Sequence, residues 1–465
     1  MPINIAFAGS RIKRPGAYST VDTSGMIPIT LGAFNVLAYV GKMDASATLA
    51  PKEAFYFNDP GLARQALKQG LFLESVETAW SHGADLICFV RVDNATQAVG
   101  SITDGTAEVF AVKAKAYGTD GNLVSYDIDE DLEAGTKTLN IGFGDLFEQF
   151  TKEAGTTNAE FAKFVSNRSQ FITLEAKSEV AFTTPPSPTY LTGGSGGGTV
   201  TDDDWQQAID VLQNEKVQGI FPVSDEPAII VKVDAHIANM SNVKNRKERR
   251  GFYGHPNFTA IKDIIDLKMS LNNERALIAT PGVYVYGESG EKELRSSILL
   301  ASAYAGMWSS KEPQDPITYD YVKFAGLEKR YNAVEIEQLL DGGIAVTEYV
   351  EGRGYRIVQG VTTDTSLDIS ANELSVSTLK DVMSINLREY LEERYVGRAG
   401  VKGIEVSMYN DVVTMIQKFE RAGWISGYVE DSIKIRKDGT IYWVDWEGKP
   451  TLPINNFLIT SHFTI

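Results

Sequence analysis

Apolar positions along the chain alternate between strand-like runs and helical spacing. The runs AFNVLAYVGKM (33–43) and DLICFVRV (85–92) predict buried strands. Between them, GLARQALKQGLFLESVETAWSHGA carries Leu67, Leu71, Val76 and Trp80 among its apolar positions, which predicts a helix. A strand–helix–strand order of this kind is typical of a partly parallel α/β layer.

The pattern changes after residue 100 and returns after residue 200. EVFAVKAKAYG, LVSYDI, KTLNIGFG and FITLEA have strand length and are separated by turn residues, which predicts a β-rich insertion. Helices such as DDWQQAIDVLQNE and IKDIIDLKMSLNN then alternate again with strands such as VQGIFPVS and RALIATPGVYVYG. The last ninety residues predict two helices followed by a β segment.

These changes predict a multidomain α/β (α+β) protein with extended arms at both ends. The segments are an N-terminal linking arm (1–20), an α/β core (21–100 and 200–373), an inserted β-rich domain (101–190), a Gly-rich linker (191–199), a C-terminal α+β domain (374–453) and a C-terminal linking strand (454–465). The length of 465 residues suits two to four domains with buried cores.

The stretch LTGGSGGGTVTDDDW (191–205) is the most conspicuous candidate for chemistry. A phosphate-binding P-loop needs a lysine where Thr199 stands, and a dinucleotide fingerprint needs a glycine at that same position. Thr201 and Asp204 predict a capping box at the next helix, whose first turn already holds three aspartates. We therefore interpret the glycines as a flexible linker and expect no nucleotide or other cofactor there.

Net charge argues against nucleic acid as a direct partner. The chain has 61 acidic and 44 basic residues, a formal charge of −17. Its one basic cluster, KNRKERR (244–250), is either a solvated helix end or a contact for an acidic patch on another subunit. For the second interpretation the candidate contacts are Lys244, Arg246, Lys247, Arg249 and Arg250, and the acids of DIDEDLE (127–133) are candidate counterparts.

Other signatures of catalysis, metal binding or membrane insertion are weak. The single cysteine, Cys88, lies in an apolar strand, and the four histidines lack metal-site spacing. Ser195 in GGSGG has the letters of a hydrolase elbow, but a Pro-rich loop precedes it and no helix follows directly. No apolar run of about 18 residues and no signal-peptide core occur. We predict a protein that is not an enzyme, has no metal and folds in a reducing cytoplasm.

Both ends of the chain are extended and apolar. INNFLITSHFTI is either the last strand of its own sheet or a strand donated to the open sheet edge of a neighbour. The candidate residues of the two arms are Ile3, Ile5, Phe7, Pro15, Gly16, Tyr18, Phe457, Ile459, Phe463 and Ile465.

A series of segments keeps a characteristic order along nearly the whole chain. They are RPGAY, AWSHGADLICFVRV, AKAYGTDGNLVSYDI, YLTGGSGG, HIANMSNVKNRKERRGFYG, NNERALIATPGVYV, GGIAVTEYVEGRGYRIVQGVTT and INLREYLEERYVG. In order and spacing the chain resembles the contractile-tail sheath proteins of phages and phage-like injection machines. It departs from the family pattern at Ala17, where a branched residue is common, and at Gly360–Val361, where an arginine is often found.

The resemblance implies a structural protein with a subtilisin-like core that lacks protease function. It implies subunits linked by their arms in stacked hexameric rings around an inner tail tube, with baseplate and tail terminator proteins as further partners. Such a sheath contracts to drive the tube through the target envelope. The expected location is the virion tail or a contractile injection particle, assembled in the host cytoplasm. The alternatives are a subtilisin-like hydrolase and a receptor- or carbohydrate-binding module that uses the β-rich insertion.

Overall fold

The structure is a computed structural model, which describes residues 5–7, 10–12, 36–183, 188–287, 289–366, 368–455 and 460. The strands in these ranges are β1 (Ile5–Phe7), β2 (Ser10–Ile12), β3 (Leu37–Gly41), β4 (Ala54–Phe57), β5 (Ile87–Arg91), β6 (Gln97–Thr103), β7 (Glu108–Tyr117), β8 (Val124–Asp131), β9 (Thr136–Phe143), β10 (Leu146–Lys152), β11 (Ile172–Ala176), β12 (Thr189–Tyr190), β13 (Gly219–Pro222), β14 (Arg250–Tyr253), β15 (Ala276–Thr280), β16 (Val283–Tyr286), β17 (Lys292–Arg295), β18 (Tyr321–Val322), β19 (Gly326–Leu327), β20 (Ala345–Val350), β21 (Gly354–Ile357), β22 (Ile425–Asp438) and β23 (Ile441–Pro450). The helices are α1 (Pro60–Leu67), α2 (Leu71–Ser81), α3 (Asn158–Arg168), α4 (Asp202–Val211), α5 (Pro227–Met240), α6 (Ile261–Leu271), α7 (Ile298–Ser310), α8 (Ala333–Asp341), α9 (Ile369–Asn372), α10 (Leu374–Tyr395) and α11 (Ile404–Arg421).

A nine-stranded sheet organises the α/β part, in the order β18-β21-β20-β15-β14-β13-β3-β5-β4. The six strands from β20 to β5 are parallel, and antiparallel strands close both ends. Every residue of β3, β5 and β15 is buried, because helices cover both faces of the sheet. The mixed α/β class predicted from the sequence is confirmed.

Two hydrophobic clusters lie on opposite faces of this sheet. Helices α2 and α7 pack on one face, and α4, α5, α6 and α8 supply the apolar side chains of the other. Helix α7 is buried on almost every side, and its small residues let it approach α2 closely. A Cβ on Gly306 would lie only 2.4 Å from the Ala79 carbonyl oxygen.

The first helical segment is two helices, although its spacing predicts one. Helix α1 ends at Leu67, and Lys68 and Gly70 both have left-handed φ values, 67° and 94°. Glycine adopts this conformation without a Cβ clash, so the chain turns there before α2 begins. The prediction of one continuous helix is therefore wrong at this point.

The segment predicted as a β-rich insertion forms two sheets around a third hydrophobic cluster. The sheets have the orders β10-β9-β8-β12 and β11-β7-β6. Helix α3 also belongs here and is missing from the sequence prediction. Its start carries a capping box between Thr157 and Glu160, a signal already present in the letters TNAE.

The C-terminal part contains α10, α11 and the hairpin β22–β23 around a fourth cluster. The first half of α10 is buried against the core, where Trp308 Nε1 donates to Thr378 Oγ1 at 3.0 Å. Its second half leads to α11, and the hairpin packs on α11 through residues such as Ile433 and Trp446. The hairpin is therefore joined to the core mainly through one long helix.

Candidate assembly surface

The candidate arm residues lie mostly outside the described residues. Strand β1, which contains Ile5 and Phe7, pairs antiparallel with β2, and only its backbone is described. The candidate residues outside the described ranges are Ile3, Pro15, Gly16, Tyr18, Phe457, Ile459, Phe463 and Ile465. The donated-strand interpretation of the arms stays a prediction.

The C-terminal hairpin, β22–β23, has edges suited to accept such a strand. Strands β22 and β23, of 14 and 10 residues, form a two-stranded sheet, so each has one edge unpaired by any other described strand. Along β23, Tyr442, Val444 and Trp446 are partly buried towards the helices, while Ile441 and Trp443 are more than half exposed. Two-stranded sheets are marginal alone, and an unpaired edge is a template for another strand.

Next to the β23 edge runs a groove, which we call the α10 trough, lined by apolar side chains and by charged ones such as Lys380, Arg388 and Lys437. Its first part, about 610 Å³, is lined by Met383, Leu387 and Leu391 of α10 and by Trp446 and Pro450. Its second part, about 690 Å³, continues past Leu391 to Val396, Ile404, Met408, Tyr442 and Val444. A strand added to β23 would place alternate side chains over this trough, which suits an apolar-alternating segment.

The basic cluster 244–250 is used mainly inside the chain, which corrects part of the sequence hypothesis. Arg249 and Arg250 are fully buried, so their guanidinium groups are not available to another subunit in this structure. Arg250 contacts Asp381 of α10 at 2.9 Å, and Arg249 donates to the Leu212 and Glu215 carbonyls. Asp381 lies 131 residues away from Arg250, so no local pattern indicates the pair.

The other members of the cluster lie nearer the surface. Lys247 donates to the Gln213 carbonyl and Arg246 contacts Glu392, while Lys244 is exposed.

The glycine loop is packed against neighbouring backbone. Thr96 N donates to Ser195 O at 2.9 Å, and Val99 N donates to Thr192 O at 2.7 Å. A Cβ on Gly196 would lie 2.3 Å from Ala45 Cα, and a Cβ on Gly194 would lie 2.5 Å from the Gly118 carbonyl oxygen. These glycines permit close backbone approach, a different role from the flexible linker predicted from composition.

The helix after this loop starts as predicted. Thr201 and Asp204 form a reciprocal capping box, and Lys52 and Asn94 add hydrogen bonds to Asp204 at 3.3 and 2.7 Å. The hydrogen bonds from Thr201, with those from Asn94 and Lys52, hold the pKa of Asp204 well below its usual range. The helix start is already occupied by the chain's own carboxylate, which agrees with the absence of a P-loop lysine.

A buried ion pair organises the junction between this loop and the core sheet. Arg91 and Asp93 are both almost completely buried and paired through Arg91 Nε. The remaining Arg91 donors reach the carbonyls of Ala47, Leu49, Asp44 and Gly196 at 2.7–3.4 Å. One side chain therefore holds a core loop and the glycine loop together.

The described histidines have hydrogen-bond partners within the fold. His82 Nδ1 contacts the Thr78 carbonyl, and His255 Nε2 lies 2.8 Å from Thr280 Oγ1. Ser195, the candidate elbow serine, contacts Thr96 Oγ1 at 3.0 Å. Among the described residues no group of three potential metal ligands occurs. Within the same ranges, every helix is too short or too polar to cross a bilayer.

His236 predicts a pH dependence of stability. Arg249 Nη1 lies 2.7 Å from His236 Nε2, and because arginine can only donate, the ring accepts and is neutral. Burial, together with the Arg249 charge, lowers the His236 pKa to about 4. The unfolded chain, with a histidine pKa of about 6.5, therefore binds more protons between these values. We expect full stability above about pH 6.5 and a loss of up to about 3 kcal/mol as the pH falls to 4.

Thermal unfolding of the wild type and of His236→Gln at pH 4.5, 5.5, 6.5 and 7.5 measures this effect. Glutamine can accept from Arg249 but does not titrate, so its melting temperature should fall less with acid. Equal acid sensitivity in the two proteins would contradict the assignment to His236.

The described part of the chain is thus an α/β body joined by one long helix to a hairpin whose outer edges pair with no other described strand. A family model, the phage tail sheath protein central domain, matches residues 198–363. These residues are therefore similar to a tail sheath domain, and the resemblance predicted from the sequence is confirmed.

Individual proteins agree with the family match. The chain is 30% identical to a tail sheath protein of Bacillus phage SP01 over 279 residues, 59% of this chain and 48% of that protein. It thus spans about half the length of this relative. The fold matches a sheath tail protein of Listeria innocua with a TM-score of 0.69 at 15% identity, over 91% of this chain and 93% of the other. It also matches the anti-feeding prophage helical sheath in the contracted state, with a TM-score of 0.56 at 11% identity, over 97% and 99%.

Proposed function

We propose that this chain is the structural subunit of a contractile tail sheath. It polymerises as stacked hexameric rings around an inner tube and contracts to drive that tube through the target cell envelope. The observation that carries the proposal is the β22–β23 hairpin, whose two edges are unpaired in the described residues and whose β23 edge lies beside the α10 trough. The family match and the likeness to a contracted sheath support it.

The arms supply the strands that this hairpin accepts. Ile3, Ile5 and Phe7 alternate in the N-terminal arm, as do Phe457 and Ile459 in the C-terminal strand. About six backbone hydrogen bonds contribute only roughly 3–9 kcal/mol, and ordering six residues opposes this by about 1–2 kcal/mol each. Burial of the alternating apolar side chains therefore decides whether an arm stays bound. Several such links per subunit reinforce one another.

The remaining assignments follow from this role. The partners are further copies of the chain, the inner tail tube protein, and baseplate and tail terminator proteins, without direct nucleic-acid contact or membrane insertion. The particle is a virion tail or contractile injection particle assembled in the host cytoplasm, and the chain needs no cofactor and performs no catalysis. We also assign the parallel core to a subtilisin-like fold and retain the division into a core, an insertion and a C-terminal part, which the separate clusters of the last two support. The insertion cluster includes Ala98 and Leu191, which lie just outside the limits 101–190 inferred from the sequence.

Electron microscopy of the purified chain tests the proposal, together with Leu387→Glu. Leu387 is partly buried and lines the α10 trough, so a carboxylate there should repel an incoming apolar strand. We expect tubes or striated polysheaths from the wild type and at least a tenfold loss of polymer from Leu387→Glu.

Val334→Glu is the matched control. Val334 is 72% exposed on helix α8, so it also places a glutamate on a helical apolar position, but away from the trough. This variant should polymerise as the wild type does. A wild type that stays monomeric when tube and baseplate are also supplied would count against the sheath role, and Leu387→Glu tubes of normal length would count against the trough.

The two alternatives have less support. A hydrolase would need Ser195 to meet a histidine, and its hydroxyl instead contacts Thr96. A receptor-binding module would leave the open hairpin edges without a role. Peptidase assays with a Ser195→Ala control, and sedimentation at high concentration, distinguish these alternatives from the sheath role.

A further inference from the structure

Helix α10 carries a charged stripe that faces the core. Asp381, Arg388 and Glu392 are spaced by seven and four residues, which places them on one side of the helix. Their partners come from the two segments that lead into β14 and β15. We call these contacts, between the three α10 residues and Arg246, Glu248, Arg250 and Arg275, the α10 clasp.

The clasp is buried at one end and exposed at the other. Asp381 receives Arg250 at 2.9 Å and Arg275 at 2.5 Å, and the Arg250 side chain has no exposed surface. Arg388 then forms a bidentate pair with Glu248, at 2.7 and 2.9 Å. At the outer end Arg246 contacts Glu392, and both side chains are nearly half exposed.

The signs of the charges alternate along the clasp. On the helix, Asp381, Arg388 and Glu392 are negative, positive and negative. Their partners on the core are positive (Arg250 and Arg275), negative (Glu248) and positive (Arg246). If α10 slid by one turn towards either end, Arg388 would face Arg246 or Glu392 would face Glu248. Like charges would then oppose each other, so the pattern disfavours neighbouring registers as well as favouring the observed one.

The core side of the clasp is shaped for this contact. Arg246 has a left-handed backbone with φ of 56°, an uncommon conformation for a residue other than glycine. In that conformation its carbonyl oxygen accepts a hydrogen bond from Arg388 Nη2 at 3.0 Å. The loop therefore offers Arg388 two kinds of acceptor, the Arg246 carbonyl oxygen and the Glu248 carboxylate. Together they match the donor geometry of the planar guanidinium group.

We infer that Arg388 and Glu248 are positioning residues that set the register of α10 on the core, and thereby the place at which the hairpin β22–β23 is presented to neighbouring subunits. The inference rests on the proposed function for its consequence in assembly, whereas the register itself belongs to the isolated chain. The test therefore measures a distance within a single chain, separately from polymerisation.

Spin labels at Lys262→Cys on α6 and Lys434→Cys on β22 report this distance in dilute full-length chain. Both positions are exposed, and Cys88 does not compete because burial raises the pKa of its thiol to about 12. In the Arg388→Glu background we expect the distance distribution to broaden or shift by about one helical turn, roughly 5 Å. The exchange Glu248→Arg with Arg388→Glu should restore the narrow distribution. Arg64→Glu, which breaks the exposed Arg64–Glu77 pair on α1 and α2, should leave it unchanged.

Assembly of the same variants, followed by sedimentation, completes the test. We expect Arg388→Glu to lose at least tenfold in polymer, the exchanged pair to recover, and Arg388→Lys, which keeps the charge without the fork, to fall between. An unchanged distance in Arg388→Glu overturns the register role. A changed distance with normal assembly overturns its consequence for presentation. Failure of the wild type to polymerise, with the distance effects present, would count against the proposed function and leave the register role supported. If Arg388→Glu does not fold, Arg388→Lys with the exchanged pair decides by the same criteria.

Discussion

Removing residues 456–465 is expected to yield a folded chain that no longer forms tubes. The truncation point keeps Asn455, whose side chain approaches Glu373 at the start of α10, so contacts of the described body are retained. The lost segment contains Phe457, Ile459, Phe463 and Ile465, and each apolar side chain buried on a neighbour would contribute about 1.5–3 kcal/mol. Loss of all four removes most of the free energy that could offset ordering of the arm.

Circular dichroism, melting temperature and electron microscopy measure this result. We expect a melting temperature close to that of the wild type and at least a hundredfold less polymer. Thr460→Ala with Ser461→Ala is the control, because it alters the tail while keeping its apolar residues, and it should still assemble. Tubes of normal yield from the truncated chain would contradict strand donation by the C-terminal segment.

Replacing Arg91 by methionine is expected to lower the free energy of unfolding by about 3–5 kcal/mol. The substitution leaves the Asp93 carboxylate buried without its partner and removes the donors of four backbone carbonyls. Because one of those carbonyls belongs to Gly196, the glycine loop should lose hydrogen-exchange protection together with the core loop at 44–49.

Urea unfolding with hydrogen exchange measures this effect against Arg64→Met. The Arg64–Glu77 pair is largely exposed, so its loss should change stability by about 0–1 kcal/mol. Adding Asp93→Asn to Arg91→Met should recover part of the loss, because it removes the uncompensated charge. A loss in Arg91→Met no larger than that in Arg64→Met would show that the buried pair does not stabilise the junction.

The parallel core was predictable because its strands are continuous apolar runs. LAYVG and ICFVR are buried on both faces, and this leaves a signal in the letters alone. The capping box of Thr201 and Asp204 was predictable for a similar reason, since both partners lie within four residues. Features decided by neighbouring residues were therefore accessible from the sequence.

The features that sequence reasoning missed depend on distant partners. In the sequence, Arg250 cannot be told from a surface arginine, because its partner Asp381 lies on the distant helix α10. Gly196 likewise suggests a flexible position, because its close contact with Ala45 is made only in the fold. The break at Gly70 was hidden because apolar spacing continues on both sides of it. The arms lie outside the described residues, so their part in assembly stays a prediction that the open hairpin makes specific.

The two edge strands of the large core sheet are short, unlike the strands of the hairpin β22–β23. β18 has two residues and β4 has four, and both run antiparallel to their neighbours. Such short edge strands offer few unpaired backbone groups to a strand of another chain, so they disfavour aggregation by extension of the sheet. In the proposed sheath, subunits that accumulate before assembly begins would therefore meet few competing strand templates on their cores, and the longer hairpin edges would be the favoured docking site. This division would let a concentrated pool of subunits wait in solution and still join in one defined way.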